Sequence, residues 1–251
     1  HRPPAPHRLA LVGKGITLDT GGYCLKTQAG LEHTKGDMAG AAAVMGTLCA
    51  LARNKVKVNV VAVVPACENK LSNSASVPGD VVTSMSGKTV EILNTDAEGR
   101  LILADAITYA TQVEKATRLV DVATLTGSAF NTFGHSTAAL LTNNDSWYDA
   151  FQKAAAASGE QYWRLPTFPE YRELLQSEVA DIKNVGPKYA GCIIAGLFLR
   201  EVAGDTPWLH LDIAGTARVD KPCFAHQVPG ATGAAVTTMY FLARQLAGQS
   251  M

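Results

Sequence analysis

Seven charged residues in short, unusual contexts set the question of chemistry. In Asn94-Thr95-Asp96-Ala97-Glu98-Gly99-Arg100, two carboxylates and a guanidinium stand at i, i+2 and i+4. In an extended segment that spacing turns all three to one side. Apolar Leu101-Ile102-Leu103-Ala104 follows at once. Charges beside such a core-forming stretch are costly unless something neutralises them. A plainer reading stays open here. Asp96 and Glu98 could cap the following helix, with Arg100 pairing one of them.

A second stretch, Gly13-Lys14-Gly15-Ile16-Thr17-Leu18-Asp19-Thr20-Gly21-Gly22, directly follows a short apolar run. The end of a parallel strand in an open α/β sheet is where ligands bind. Glycines on both sides of Lys14 and Asp19 let backbone and ligand approach closely. The alternative is a plain Gly-rich turn with an exposed lysine. A phosphate-binding loop fails on spacing. G-x-x-x-x-G-K-[ST] is absent, Gly13-x-Gly15 lacks the third glycine of a dinucleotide fingerprint, and Val82 spoils Gly87-Lys88-Thr89. Lys26 alone reads as a surface residue, and Asp37 alone as an N-cap.

Taken together, Asp19, Asp37, Asp96 and Glu98 are four carboxylates at the edges of apolar segments. Such a cluster repels itself unless cations sit among it. Two divalent ions about 3.5–4 Å apart are the usual solution in hydrolytic sites. Lys14, Lys26 and Arg100 then supply positive groups around a polarised substrate. A two-metal phosphoesterase would share this logic, but such sites commonly include histidine, and none falls inside these motifs.

The elements that must position these residues follow from pattern. Residues 9–12 form a buried strand, and 13–22 a Gly-rich turn. Residues 39–52 form an Ala-rich helix, and β-branched 56–64 a central strand ended by Pro65. A loop covers 69–80. A hairpin over 83–93 turns at Ser86-Gly87-Lys88. Helices are expected at 101–112, 147–157, from about 189 to 202, and at 234–246, with strands at 117–122 and 208–213. Alternating strands and helices imply an α/β fold with a mixed, mostly parallel central sheet and helices on both faces.

The length of 251 residues fits one large domain, and 47% apolar with 18% charged residues is globular composition. The 22 basic and 22 acidic residues cancel, which argues against a broad grip on nucleic acid or an anionic membrane. No apolar run reaches the roughly 18 residues needed to span a bilayer. Residues 1–8, Pro-rich and polar, read as a linker from a preceding domain that is absent here, and 9–251 as the catalytic domain. Five widely spaced cysteines without C-x-x-C favour free thiols in a reducing compartment, hence the cytoplasm. Six scattered histidines without H-E-x-x-H exclude the commonest zinc-protease pattern. His210 reads as a packed strand residue. Trp147, Trp163 and Trp208 read as core or interface residues, and the sequon at Asn144 as a chance match.

The stretch from Asn94 to Leu101 matches the signature octapeptide of the leucyl aminopeptidase family, also called cytosol aminopeptidases. The stretch from Val12 to Gly22 resembles that family's first metal-binding segment. Asp121-Val122-Ala123-Thr124-Leu125-Thr126-Gly127 and Trp208-Leu209-His210-Leu211-Asp212-Ile213-Ala214-Gly215-Thr216 extend the likeness along the chain after about residue 9. The resemblance implies a metallo-aminopeptidase acting on peptides with a free N-terminus. By the same resemblance Lys14 and Asp37 bind one metal, Asp19 and Glu98 bridge, and Asp96 binds the more exchangeable metal. Lys26 polarises the scissile carbonyl, and Arg100 holds bicarbonate as a proton shuttle. Asn94, Thr124, Leu125 and Gly127 are expected to bind substrate. Zinc or manganese, with cobalt or magnesium as substitutes, and a homohexamer are implied too. Thr34 stands where the side-chain pocket often has Met, which bears on the expected leucine preference. A non-catalytic family member serving as an assembly or DNA-binding subunit is the alternative.

Overall fold

Three chain segments, Leu9–Gly13, Arg118–Ala123 and Trp208–Asp212, are mainly apolar and sit in the middle of the molecule. In the computed structural model, which describes residues 7–249, they are the central parallel strands. The first is β1 (Leu9–Gly13), followed by β2 (Gly15–Asp19), α1 (Gln28–Leu31), α2 (Ala39–Arg53), β3 (Val60–Val63) and β4 (Ala66–Asn69). Next come β5 (Val81–Thr83), β6 (Thr89–Glu91), α3 (Gly99–Gln112), β7 (Arg118–Ala123) and α4 (Gly127–Phe133). Then follow β8 (Thr137–Thr142), α5 (Asp145–Ser158), β9 (Gln161–Arg164), α6 (Pro169–Glu173) and β10 (Ile182–Lys183). The chain ends with α7 (Gly191–Ala203), β11 (Trp208–Asp212) and α8 (Val236–Leu246).

The main sheet runs β3-β1-β7-β11-β8-β9. Neighbours are parallel except β11 and β8. Every residue of β1 and β11 is buried. Alternate side chains feed two cores, because a strand's side chains point to opposite faces. Leu9 and Leu11 join Val44, Trp147, Phe151, Met239 and Leu242 under α2, α5 and α8. Ala10 and Val12 join Leu103, Ile107, Ile194, Leu197 and Phe198 under α3 and α7. The expected α/β sheet with helices on both faces is therefore present. Each fully buried Leu, Ile or Phe contributes about 1.5–3 kcal/mol of transfer free energy, so these two layers set the frame on which the polar residues hang.

Several local expectations change. The Gly13–Gly22 stretch is not one turn, because β2 pairs in parallel with β4 and buries Ile16 completely. Gly15 permits that pairing: a Cβ there would lie 2.7 Å from the Pro65 carbonyl oxygen. Asn69, expected in a loop, ends β4. Strand 56–64 shrinks to β3 because the Val56 N–H still bonds the Leu51 carbonyl of α2. The strand β8 had no sequence-based expectation. The hairpin forms as expected, with Val81 opposite Glu91 and Gly87 at φ 88° in its turn. Trp147 and Trp208 are core residues, whereas Trp163 is 64% exposed. His210 is fully buried on β11, with Nδ1 2.5 Å from Asp121 Oδ1. Asn144 accepts the Trp147 N–H as the N-cap of α5. All five cysteines are free. Of the linker expected over residues 1–8, residues 1–6 lie outside the described part.

Candidate metal centre

The charged residues converge where β1, β7 and β11 end and α2 and α3 begin. Lys14 follows β1, Asp19 closes β2, and Thr124 follows β7. Asp37 precedes α2, while Asp96, Glu98 and Arg100 surround the start of α3. Neither helix uses a carboxylate as its cap. Met38 and Glu98 occupy the N-cap positions without a side-chain cap hydrogen bond. The capping reading of Asp37, Asp96 and Glu98 therefore fails, and so does the pairing of Arg100 with a neighbouring acid. Arg100 donates instead to the Asn184 carbonyl at 2.8 Å.

Carboxylate oxygens of Asp19, Asp96 and Glu98 all lie within 4.8 Å of one another. Two ammonium groups are threaded among the acids. Lys14 Nζ lies 2.7 Å from Asp37 Oδ2 and 3.1 Å from Glu98 Oε1, and it donates to the Thr124 carbonyl at 3.2 Å. Lys26 Nζ lies 2.7 Å from Asp19 Oδ2 and also bonds Asp96 Oδ1. Lys26 is thus no surface residue, and Lys14 is only 3% exposed. The two Nζ atoms stand where cations are demanded by the surrounding oxygens.

Four carboxylates share the charge of two lysines, and the protonation preferences follow. For Lys14, burial acts against the charged form, but Glu98 and Asp37 outweigh it and hold the ammonium above the ordinary lysine value. Burial pushes the Asp37 carboxyl up to about 6, with Lys14 and Thr124 opposing. Burial also raises Asp96, helped by Asp19 and Glu98 against Lys26. Asp19 goes down: burial acts upward, but bonds from Lys26, Gly21 and Asn69 prevail. Arg100 is drawn down by burial to about 10, with Glu98 and Asp212 opposing. It therefore stays cationic at neutral pH.

All of this faces one cleft of about 740 Å³, open to solvent, whose wall includes Lys14, Asp19, Lys26, Asp37, Asp96 and Arg100. Asn94, Thr124, Leu125 and Gly127 also line it. Asn94 turns its own loop by accepting the Asp96 N–H at 2.8 Å. Thr124 Oγ1 donates to Asp37 Oδ1 at 2.7 Å. Glu98 joins the cluster through Lys14 Nζ. Three supporting residues had no expectation. Asn69 Nδ2 donates to Asp19 Oδ1 at 2.9 Å, to the Thr95 carbonyl at 3.0 Å and to Glu98 Oε2 at 3.3 Å, tying the two acidic motifs together. Fully buried Asn184 holds Arg100 and accepts the Leu93 N–H, and its Nδ2 donates to the Asn94 carbonyl. Asp212 accepts the Leu125 N–H and the Thr126 hydroxyl. Neither Asn69, which opens a polar stretch that reads as a loop, nor Asn184 carries a local sequence signal of these roles.

The donors present suit divalent cations. They are mainly carboxylate oxygens, which hard dications prefer. Asp37 Oδ2 is enclosed and receives no aligned hydrogen bond despite the nearby ammonium. The tight seat of Lys14 also depends on a missing side chain, since a Cβ on Gly99 would lie 2.7 Å from Nζ.

Comparison with known proteins gives a consistent picture. The family model described as cytosol aminopeptidase family, catalytic domain, matches residues 1–240. The probable cytosol aminopeptidase of Clostridium perfringens (strain 13 / Type A) is 53% identical over 239 residues, covering 95% of this chain and 48% of that protein. That of Alkaliphilus metalliredigens (strain QYMF) is 53% identical over 238 residues, covering 95% and 47%. The chain thus spans about half the length of the curated relatives it matches. Among solved structures, the bottromycin maturation enzyme BotP in complex with Mn superposes with a TM-score of 0.92 at 39% identity, covering 98% of this chain and 55% of BotP.

Proposed function

Because the chain belongs to the cytosol aminopeptidase family, we propose that it is a metal-dependent aminopeptidase that removes the first residue from peptides with a free N-terminus. One observation carries this reading. Asp19, Asp96 and Glu98 crowd together with Lys14 and Lys26 inserted among them, at the wall of a cleft large enough for a peptide end.

Lys14, Asp19, Asp37, Asp96 and Glu98 would hold two divalent ions, zinc or manganese foremost, with cobalt or magnesium able to substitute in an oxygen-rich site. The manganese complex of BotP supports that choice. When bound, such a pair supplies Lewis acidity and an activated water.

The chain's own groups supply the remainder. Lys14 would serve as a ligand only after losing its proton, which adjacent dications favour. Lys26 Nζ, released from the carboxylates it bridges, would donate to the scissile carbonyl oxygen as charge develops there. The carboxylates are committed as ligands, so none is free to act as general base. Arg100 keeps its charge, and its Nε–H is buried and unpartnered. Its guanidinium would hold bicarbonate, the proposed proton carrier between water and the departing amine. The cleft wall formed by Met38, Ala39, Leu125 and Ala217 would receive an apolar side chain, with the polar Thr34 among them counting against a strict leucine preference. By the motif resemblance, the protein would also be a homohexamer in the cytoplasm. No described helix is long and apolar enough to cross a membrane.

The test is hydrolysis of leucine 4-nitroanilide together with metal analysis of the purified chain. Chelation should abolish the rate, and zinc, manganese or cobalt should restore it. Asp96→Ala should lower kcat/KM by at least 10³-fold. A full rate in that variant, or in chelator, overturns the proposal.

A further inference from the structure

We infer that Thr124 is a positioning residue for Asp37, fixing which oxygen of that carboxylate faces the cation. The inference rests on the two-metal reading above. It also gives Thr124 a role different from the substrate contact expected of it.

The geometry is one-sided. Thr124 Oγ1 donates to Asp37 Oδ1 at 2.7 Å, so that oxygen is occupied. Oδ2 is enclosed, receives no aligned hydrogen bond, and faces Lys14 Nζ at 2.7 Å. An unheld carboxylate can rotate and exchange its oxygens. Held by Thr124, Asp37 presents Oδ2 alone. The same residue's carbonyl accepts from Lys14 Nζ at 3.2 Å. Thr124 therefore grips both groups assigned to one end of the site. The other end is held differently: Asp19 by Lys26, the Gly21 N–H and Asn69, and Asp96 by Lys26.

Thr124 is itself fixed from the sheet. The Ala123 carbonyl before it accepts the Ile213 N–H at 2.8 Å. After it, the Leu125 N–H and the Thr126 hydroxyl both donate to Asp212, at 3.1 and 2.7 Å. Asp212 is 1% exposed at the end of β11. The segment carrying Thr124 is thus tied to a central strand on both sides. Groups that orient a ligand in this way typically tune metal affinity 10- to 100-fold.

The experiment is calorimetric titration of the whole chain with Mn²⁺, alongside thermal melting to establish that each variant is folded. Asp96→Asn should leave the ion at the Lys14 and Asp37 end. Adding Thr124→Val in that background should weaken this ion 10- to 100-fold, and Thr124→Ser should restore it to within about threefold. Unchanged affinity with Thr124→Val, or a Thr124→Ser variant as weak as Thr124→Val, overturns the positioning role and leaves the metal reading intact. A wild-type chain that takes up no Mn²⁺ overturns both.

Discussion

Gly99→Ala should separate catalysis from stability. Gly99 opens α3, and its backbone is outside the left-handed region, so alanine can adopt its conformation. The obstacle is Lys14. A Cβ on residue 99 would lie 2.5 Å from Lys14 Cε and 2.7 Å from Nζ. Ordinary contact begins at 3.4 Å, so Cε must retreat by about 0.9 Å. Lys14 has no slack for that, because Nζ is held between Thr124, Asp37 and Glu98. A displacement of about 1 Å in a reacting assembly costs roughly 10²-fold in rate. The stability change should be small. Crowding costs about 1–3 kcal/mol, while alanine gains up to about 1 kcal/mol over glycine in a helix. The assay pairs kcat/KM on leucine 4-nitroanilide with a melting curve. The expected result is a fall of about 100-fold in kcat/KM with a net loss of about 2 kcal/mol or less. A rate within threefold of wild type would refute the claim that the vacant side of Gly99 seats Lys14.

Gly40→Ala should act in the opposite sense, on folding rather than on rate alone. Its Cβ would sit 2.0 Å from the Val122 carbonyl oxygen, which is backbone of a central strand and cannot yield cheaply. Helix α2 would have to lift off the sheet, with a loss of about 3 kcal/mol visible as an earlier urea midpoint. Wild-type stability in that variant would disprove the close approach. Glu201 gives a pH prediction away from the site. It binds Lys88 Nζ at 2.6 Å and Arg172 Nε at 2.5 Å. Burial acts to raise its pKa, but Arg172 and Lys88 outweigh it and lower it from the ordinary 4.5. A depressed carboxylate stabilises the fold above its unfolded value and loses that contribution as pH falls through the folded one. Relative to Glu201→Gln, wild type should therefore melt higher at pH 7, and the gap should close as pH drops below 4.5. Because Arg172 is well exposed, the gap should correspond to under about 1 kcal/mol. A gap that is constant down to pH 2.5 contradicts the assignment.

Residues 9–12 were legible as a strand because a run of apolar residues has only one place to go in an α/β domain. For the same reason the cores under α2 and α3 follow from the sequence. Asp96, Glu98 and Arg100 stood out as well, because charges beside an apolar helix start are locally anomalous, whereas Lys26 alone reads as a surface residue and Asp37 alone as a cap. What the sequence could not supply was who answers each charge. The Asp96 and Glu98 carboxylates could have capped α3, and only the placement of Lys14 and Lys26, 70 or more residues distant in sequence, shows that they do not. Asn184 was invisible for the same reason: its partners are Arg100 and the loop at residue 93, and nothing in its neighbourhood signals a buried amide. The strand β8 was missed because Thr137-Ala-Ala-Leu-Leu-Thr142 carries neither alternation nor β-branched density, and it is the register with β11 that makes it a strand.

The pattern of what was hidden bears on how the site is built. Local motifs deliver carboxylates, but the groups that orient them come from elsewhere in the chain: Asn69 from β4 and Thr124 from the end of β7, whose following residues are tied to Asp212 of β11. Each is anchored to a strand edge. An acidic cluster assembled only from flexible loops could relieve its repulsion by spreading apart. Here Asn69 bonds to acids from both motifs and prevents that spreading, so the repulsion must be met by cations instead. In the chain alone, Lys14 and Lys26 meet it. Four carboxylates against Lys14, Lys26 and the nearby Arg100 still leave a local excess of negative charge, and that excess is what divalent ions would answer.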